Sequence, residues 1–320
     1  MTAVPAPTAA PARKKNVLGI VVLLVFAVLA IEALFVFGQK ASGSVMAQPI
    51  VRFSGAQKET GPFNAYDVTG LKGDRLAFSD QGAGAILVFD LNGDFVEKIG
   101  KKGPGVKEFQ EPSGISSDAE GNIYVMDTWN SAVKGVSPKG DVFLNIDLMR
   151  FKNFYGPRGL CYDGTNFLIA DTVSHRIVKM SPSGTILAAW GKRGEGKGEF
   201  YNPTGVAVAP NGDICVVDAD NHRVQILNGA GEPKKVIAVG AKLNDLAVDP
   251  SGRIFVSSTE GGFVKVYNPK GKLLGNLTDA NRSADPFRSV TGMGITSDNI
   301  LLCAHNDAIS AWRLASSAGK

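Results

Sequence analysis

The chain has 320 residues, 44% hydrophobic and 20% charged, with 34 Lys+Arg against 30 Asp+Glu and only three each of His, Cys and Trp. That balance excludes a disordered chain, and so few histidines and cysteines give little material for a zinc site or a disulfide framework. The 38 glycines among short apolar runs predict many tight turns, and so an all-β protein.

Residues 1–16 read as a cytoplasmic basic tail, Ala/Pro-rich and ending in Arg13, Lys14, Lys15 and Asn16. Residues 17–37 follow with one charge, Glu32, and sixteen Leu, Ile, Val or Phe. Such a run spans roughly 30 Å as a helix, the thickness of a bilayer's hydrocarbon layer. Each of those side chains favours insertion by up to about 0.5 kcal/mol, which together outweighs the ~3 kcal/mol cost of one carboxylate. The stretch is expected to be a transmembrane anchor. The preceding cations hold the N-terminus in the cytoplasm, placing the rest in the periplasm or outside the cell. Val45-Met46-Ala47 has the small-residue pattern of a signal-peptidase site, but the apolar run is longer than a signal core, which favours an uncleaved anchor over a cleaved signal. A linker is expected at 38–48.

The first 47 residues hold four of the basic and one of the acidic side chains, leaving 30 basic against 29 acidic in the remainder. A near-neutral exported domain has no broad surface for nucleic acid.

From residue 65 onward the chain repeats itself. "NPTGVAVAPNGDICVVDADNHRVQIL" at 202–227 recurs as "EPSGISSDAEGNIYVMDTWNSAVKGV" from Glu111 and "GPRGLCYDGTNFLIADTVSHRIVKM" from Gly156, with looser copies from Tyr66, Asn244 and Thr291. Anchoring the copies at Asp67, Gly114, Gly159, Gly205, Asp245 and Gly292 gives separations of 47, 45, 46, 40 and 47 residues. Periods in the forties suit a unit of four short strands, a propeller blade. The sixth unit stops after Trp312 and lacks a fourth strand, with 316–320 read as a tail. The stretch "PIVRFSGAQKETGPF" from Pro49 matches the fourth strands and exit loops of units one and three, so it is expected to close the ring. The expected domain is one six-bladed β-propeller over 49–315, preceded by the transmembrane helix. Cys161, Cys215 and Cys303 fall in strands of different units and read as small buried hydrophobes.

The motif at 202–227 resembles the NHL repeat, with its Pro-x-Gly-Val-Ala-Val, Gly-x-Ile-x-Val-x-Asp and Asn-His-Arg-Val segments. Unit three has Ser174 for Asn, and unit two has Ser131-Ala132 for His-Arg. The resemblance implies a six-bladed propeller that binds partners, without implying one activity.

Asp80, Asp127, Asp171 and Asp218 recur at the end of each second strand, so a ring spreads them apart and no single ion gathers them. They read as structural acceptors in tight turns, as do the repeat's own His175 and His222. Asp220 reads as part of a solvated turn, and His305 has no partner in the pattern. The residues opening each innermost strand are expected to line one mouth of the central channel. Among these, Tyr66, Asp67, Glu111, Arg158, Asn244 and Asp245 are the candidate ligand-binding residues, flanked by Asn64, Ser113, Thr204 and Thr291. The exit loops with Lys101, Lys102, Lys107, Lys192, Arg193 and Lys197 read as a solvated rim, or more sharply as contacts for an acidic partner or anionic headgroups. No nucleophile–base–orienter set and no metal motif stands out. The expected function is therefore a membrane-anchored scaffold for a protein or peptide partner, with no cofactor. The alternative is a lactonase or lyase with calcium at the channel mouth, as in related propeller enzymes. It requires oxygens of Asp67, Glu111, Asn244 and Asp245 to converge.

Overall fold

A computed structural model describes residues 44–55, 60–281 and 286–315. The expected tail, the transmembrane span at 17–37 and the terminal 316–320 lie outside the described residues. Among the described residues no helix is long and apolar enough to cross a membrane, and the one helical element is a 3-10 turn, Ala219–Asn221.

Everything else regular is strand. Four four-stranded antiparallel sheets occupy residues 65–99, 112–147, 157–190 and 203–238; two more, 246–279 and 292–314, are joined into one eight-stranded sheet. The protein is a β-propeller of six blades. Within blade four the strands are Pro203–Val208, Ile214–Asp218, Arg223–Leu227 and Pro233–Ala238, each hydrogen-bonded to the next. The second strand, ICVVD, is buried throughout, because both of its faces meet neighbouring blades. That is why it is a continuous apolar run rather than an alternating one. Outer strands such as Val142–Asp147 alternate between half-buried and exposed positions, as a strand with one wet face does.

The core lies between blades. Val217, Val224 and Ile226 of blade four pack with Leu246, Val256 and Tyr267 of blade five, each apolar side chain contributing about 1.5–3 kcal/mol on full burial. The turn after each second strand is tight. Ser131, His175 and His222 take left-handed φ values of 47°, 56° and 54° at matching places in blades two, three and four.

Ring closure falls to the strand Ser44–Ser54. Ala47 to Ser54 run antiparallel to Leu314 through Ala308, supplying the fourth strand of blade six. The strand begins inside the stretch expected as linker 38–48, and Ser44 to Ala47 also pair in parallel with Asn276 to Asp279 of blade five. One strand thus stitches two blades. Ala47, 1% exposed, sits in a cluster with Phe287, Val290 and Trp312.

Candidate functional site: the channel mouth

The repeated acids come first, because they decide which polar groups remain for a ligand. Asp218 is fully buried, and its carboxylate accepts the Tyr201 N–H at 2.7 Å, Asn221 Nδ2 at 3.0 Å, Arg223 Nε at 2.6 Å and Gln225 Nε2 at 3.1 Å. Asp171 takes the Tyr155 N–H and Arg176 Nε, and Asp127 takes the Gln110 and Glu111 N–H groups. Blade two lacks the Arg of its siblings, having Ala132 there. Lys134, two positions along the same strand and 2% exposed, reaches Asp127 at 2.9 Å instead. Each acid ties the start of its blade's first strand to the end of its second, which absorbs its charge. His175 Nδ1 accepts the Asn202 N–H at 3.1 Å across blades three and four. His305 is 1% exposed between the hydroxyls of Ser289 and Ser310, and burial lowers its pKa to about 3, keeping it neutral. Among the described residues no three His, Cys, Asp or Glu side chains form a metal-holding group.

The innermost strands converge on a channel with a cavity of about 200 Å³, lined by Tyr66, Asp67, Thr204, Asn244, Asp245 and Thr291 together with main chain of all six blades. The approach is close. A Cβ at Gly159 would lie 2.4 Å from the Thr204 carbonyl oxygen, and one at Gly292 would lie 2.5 Å from that of Tyr66. Four blades have glycine at this position: Gly114, Gly159, Gly205 and Gly292. The other two have Asp67 and Asp245, and each carboxylate bridges to the next blade. Asp67 Oδ2 accepts the Ile115 N–H at 3.0 Å, and Asp245 Oδ2 accepts the Met293 N–H at 2.8 Å. Their own N–H groups donate to Ser79 and Ser257, both at 3.2 Å.

Blades one and five flank blade six, so the two acids meet around Met293. Burial, then the neighbouring Asp245 charge, raises Asp67 well above the ordinary carboxylate pKa, against opposing N–H bonds. Burial pushes Asp245 up to about 7. The pair is a carboxyl couple inside the channel whose pKa values are both raised, and the repeats contained its signal. An acid replaces glycine in two copies, and both copies have Ser before the strand-end position.

The rim sorts the remaining candidates. The Ser113 hydroxyl donates to the Arg158 carbonyl of the next blade, Thr204 to that of Asn244, and Thr291 to that of Ala65. These hydroxyls stitch blades together. Glu111 and Arg158 stand beside the cavity rather than in its wall. Arg158 Nη1 lies 3.5 Å from Glu111 Oε1, and the guanidinium sits 5.7 Å over the Tyr66 ring. Burial raises the Tyr66 pKa, with Arg158 opposing. Asn244 Oδ1 accepts Thr259 N–H and Oγ1–H at 2.7 and 3.0 Å. The six candidates therefore divide into an Asp67–Asp245 couple, a Tyr66–Arg158–Glu111 cluster and an Asn244 whose side-chain oxygen is held by Thr259. A calcium ion takes six to eight oxygens, and with Glu111 facing Arg158 and Asn244 facing Thr259 that ligand set does not assemble.

Radially arranged sheets closed by an N-terminal strand define a six-bladed β-propeller. Residues 200–227 match the NHL repeat and residues 65–134 match a family described as a 6-bladed beta-propeller; the chain is a β-propeller that carries an NHL repeat. Mouse (Mus musculus) peptidyl-glycine alpha-amidating monooxygenase is 29% identical over 156 residues, 44% of this chain and 15% of that protein. Protein brain tumor of Drosophila melanogaster is 30% identical over 128 residues, 38% and 12% respectively. The chain thus spans less than a fifth of these relatives' length. Virginiamycin B lyase from Staphylococcus aureus superimposes with a TM-score of 0.60 at 11% identity, covering 83% of this chain and 99% of that one. A chain of the nidogen/laminin complex gives 0.58 at 15% identity, covering 78% and 95%. At these identities the structural likeness is one of fold.

Proposed function

We propose that this protein is a membrane-anchored scaffold whose propeller lies in the periplasm or outside the cell and binds a protein or peptide at the channel mouth. Residues 17–37 serve as the anchor in this reading, and 49–315 as the binding domain. The observation that carries it is the Tyr66–Arg158–Glu111 cluster. It is the half-exposed charged group left at the mouth after the recurrent acids and the rim hydroxyls are spent on holding blades together. A guanidinium on an aromatic ring presents a planar donor set suited to a peptide carboxylate or carbonyl. The experiment is photo-crosslinking in intact membranes with a crosslinking amino acid at position 158. Covalent capture of a partner that is lost when the crosslinker sits in the outer strand at position 187 supports the reading. Equal capture at both positions removes it.

A second reading follows from Asp67 and Asp245. A channel carboxyl with a pKa near 7 is poised for general acid–base chemistry. Lyase activity accompanies the propeller fold in the virginiamycin B lyase. Turnover of lactone or amide substrates by purified protein, abolished in Asp245→Asn, would place the protein among enzymes.

A further inference from the structure

The mouth-side surface of blades two and three carries apolar side chains that the fold does not use. Trp129 is 69% exposed in the turn after Ile123–Asp127, Tyr155 is 57% exposed just before Pro157–Tyr162, and Val173 is 58% exposed in the turn after Phe167–Asp171. They are neighbours. The Thr128 hydroxyl, beside Trp129, donates to the Pro157 carbonyl at 2.7 Å, and the Val173 N–H donates to the Tyr155 carbonyl at 3.1 Å. Gly156 lies between, where a Cβ would stand 2.9 Å from Val173 Cγ2. Arg158 of the mouth cluster is three residues beyond Tyr155.

The inter-blade loops beside this arc carry cations. The loop from blade one to blade two bears Lys101, Lys102 and Lys107 against Glu108, and packs on the Trp129 turn through the bond from Asn130 Nδ2 to the Gly103 carbonyl at 3.0 Å. The loop from blade two to blade three bears Arg150 and Lys152 with no acid between Leu148 and Tyr155. The loop from blade three to blade four adds Lys192, Arg193 and Lys197 against Glu195 and Glu199. Lys101, Lys107 and Lys192 pair with Glu108, Asp141 and Glu199 at 3.3, 3.5 and 3.1 Å, and Arg150 donates to the Gly184 carbonyl at 2.7 Å, whereas Lys102, Lys152 and Lys197 have no carboxylate within ion-pair distance among the described residues. The exported domain is nearly balanced in charge, so this excess is a local feature.

We propose that the arc is a docking surface for an acidic peptide segment of a partner protein. An apolar side chain of the segment seats against Trp129, Tyr155 and Val173, while its carboxylates face the loop cations. This deepens the mouth-binding reading and rests on it. The chemistry favours a peptide over a polyanion, because glutamates interleave with the cations and Glu111 stands beside Arg158. A continuous row of phosphates would meet those acids, whereas spaced carboxylates fit between them. A large exposed aromatic in a ring of polar neighbours is also the residue type that dominates binding energy at protein interfaces.

The test uses the full chain in mild detergent and short fluorescein-labelled peptides read by anisotropy. One peptide combines Glu with Phe, and controls replace Glu by Lys or Phe by Ser. The Glu/Phe peptide should bind, weaken roughly tenfold with Trp129→Ser, weaken again with Lys102→Glu plus Lys152→Glu, and lose affinity as salt rises. Trp129 is exposed, so an unchanged melting temperature shows that its variant is folded. Equal binding of the Glu/Ser peptide would overturn the proposal, as would tighter binding to a single-stranded oligonucleotide or to phosphatidylglycerol vesicles. Binding of the Lys/Phe peptide that Arg158→Ala abolishes would overturn the acidic partner while leaving the mouth as a peptide site. Absence of any peptide binding together with equal crosslinking at positions 158 and 187 would overturn both.

Discussion

Asp218 and Asp220 stand two positions apart in one turn and have different fates. Asp218 has no exposed surface and pairs with Arg223 at 2.6 Å, whereas Asp220 is 22% exposed and pairs with Lys242 at 2.8 Å. Removing one partner of a buried ion pair costs about 3–5 kcal/mol, whereas a surface pair is worth about 0–1 kcal/mol. Urea denaturation should therefore show Asp218→Ala losing several times the stability lost by Asp220→Ala; equal losses would contradict the buried latch. The channel couple makes the opposite kind of prediction. Asp67 and Asp245 have folded pKa values raised above the unfolded value near 3.8. The folded state thus binds more protons, and the couple's contribution is complete below that unfolded value and is lost as pH climbs through about 7. Asp245→Asn should raise the melting temperature most at pH 8, by less at pH 5, and give no gain below the unfolded value near 3.8. His305, buried neutral, titrates the other way but is common to both proteins, so the difference between them isolates the couple.

The strand Ser44–Ser54 does two jobs along its length. Its second part completes blade six, and its first part, Ser44 to Ala47, locks blade five to blade six. A chain beginning at Gln48 loses the buried Ala47 methyl, the parallel pairing and the bond from the Ala280 N–H to the Ala47 carbonyl at 2.9 Å. It should be less stable than one beginning at Ser44 by about 2 kcal/mol, the worth of one buried methyl and one or two net hydrogen bonds. Matched denaturation curves of the two fragments check this, and coincident midpoints would show that the parallel pairing contributes nothing. The same strand shows how much was legible. Its fifteen-residue likeness to two exit loops located the antiparallel half, since a fourth strand repeats a known pattern. The parallel half had no counterpart in the repeat, because that contact exists only where the ring's two ends meet.

A ring whose cores lie between blades should unfold as a unit, since opening one blade exposes apolar faces on two neighbours. Cys161, Cys215 and Cys303 sample blades three, four and six, and burial raises all three thiol pKa values, Cys161 to about 11 and Cys215 to about 12. In rising denaturant the two fully buried thiols, Cys215 of blade four and Cys303 of blade six, should become reactive to a thiol reagent at one concentration, coincident with loss of the far-ultraviolet circular dichroism signal. Stepwise exposure would indicate blades of independent stability.

Blade number, strand order and the structural nature of the recurrent acids follow from local pattern: periods in the forties, turn residues at regular offsets, and an acid repeated too often to be a single site. Those features are properties of one unit copied along the chain, so a linear reading captures them. The meeting of Asp67 with Asp245 around Met293, the engagement of Asn244 by Thr259 and the substitution of Lys134 for a missing arginine depend on which blades become neighbours and which way each side chain points. Distances across a closed ring are set by its curvature, and no spacing along the chain encodes them.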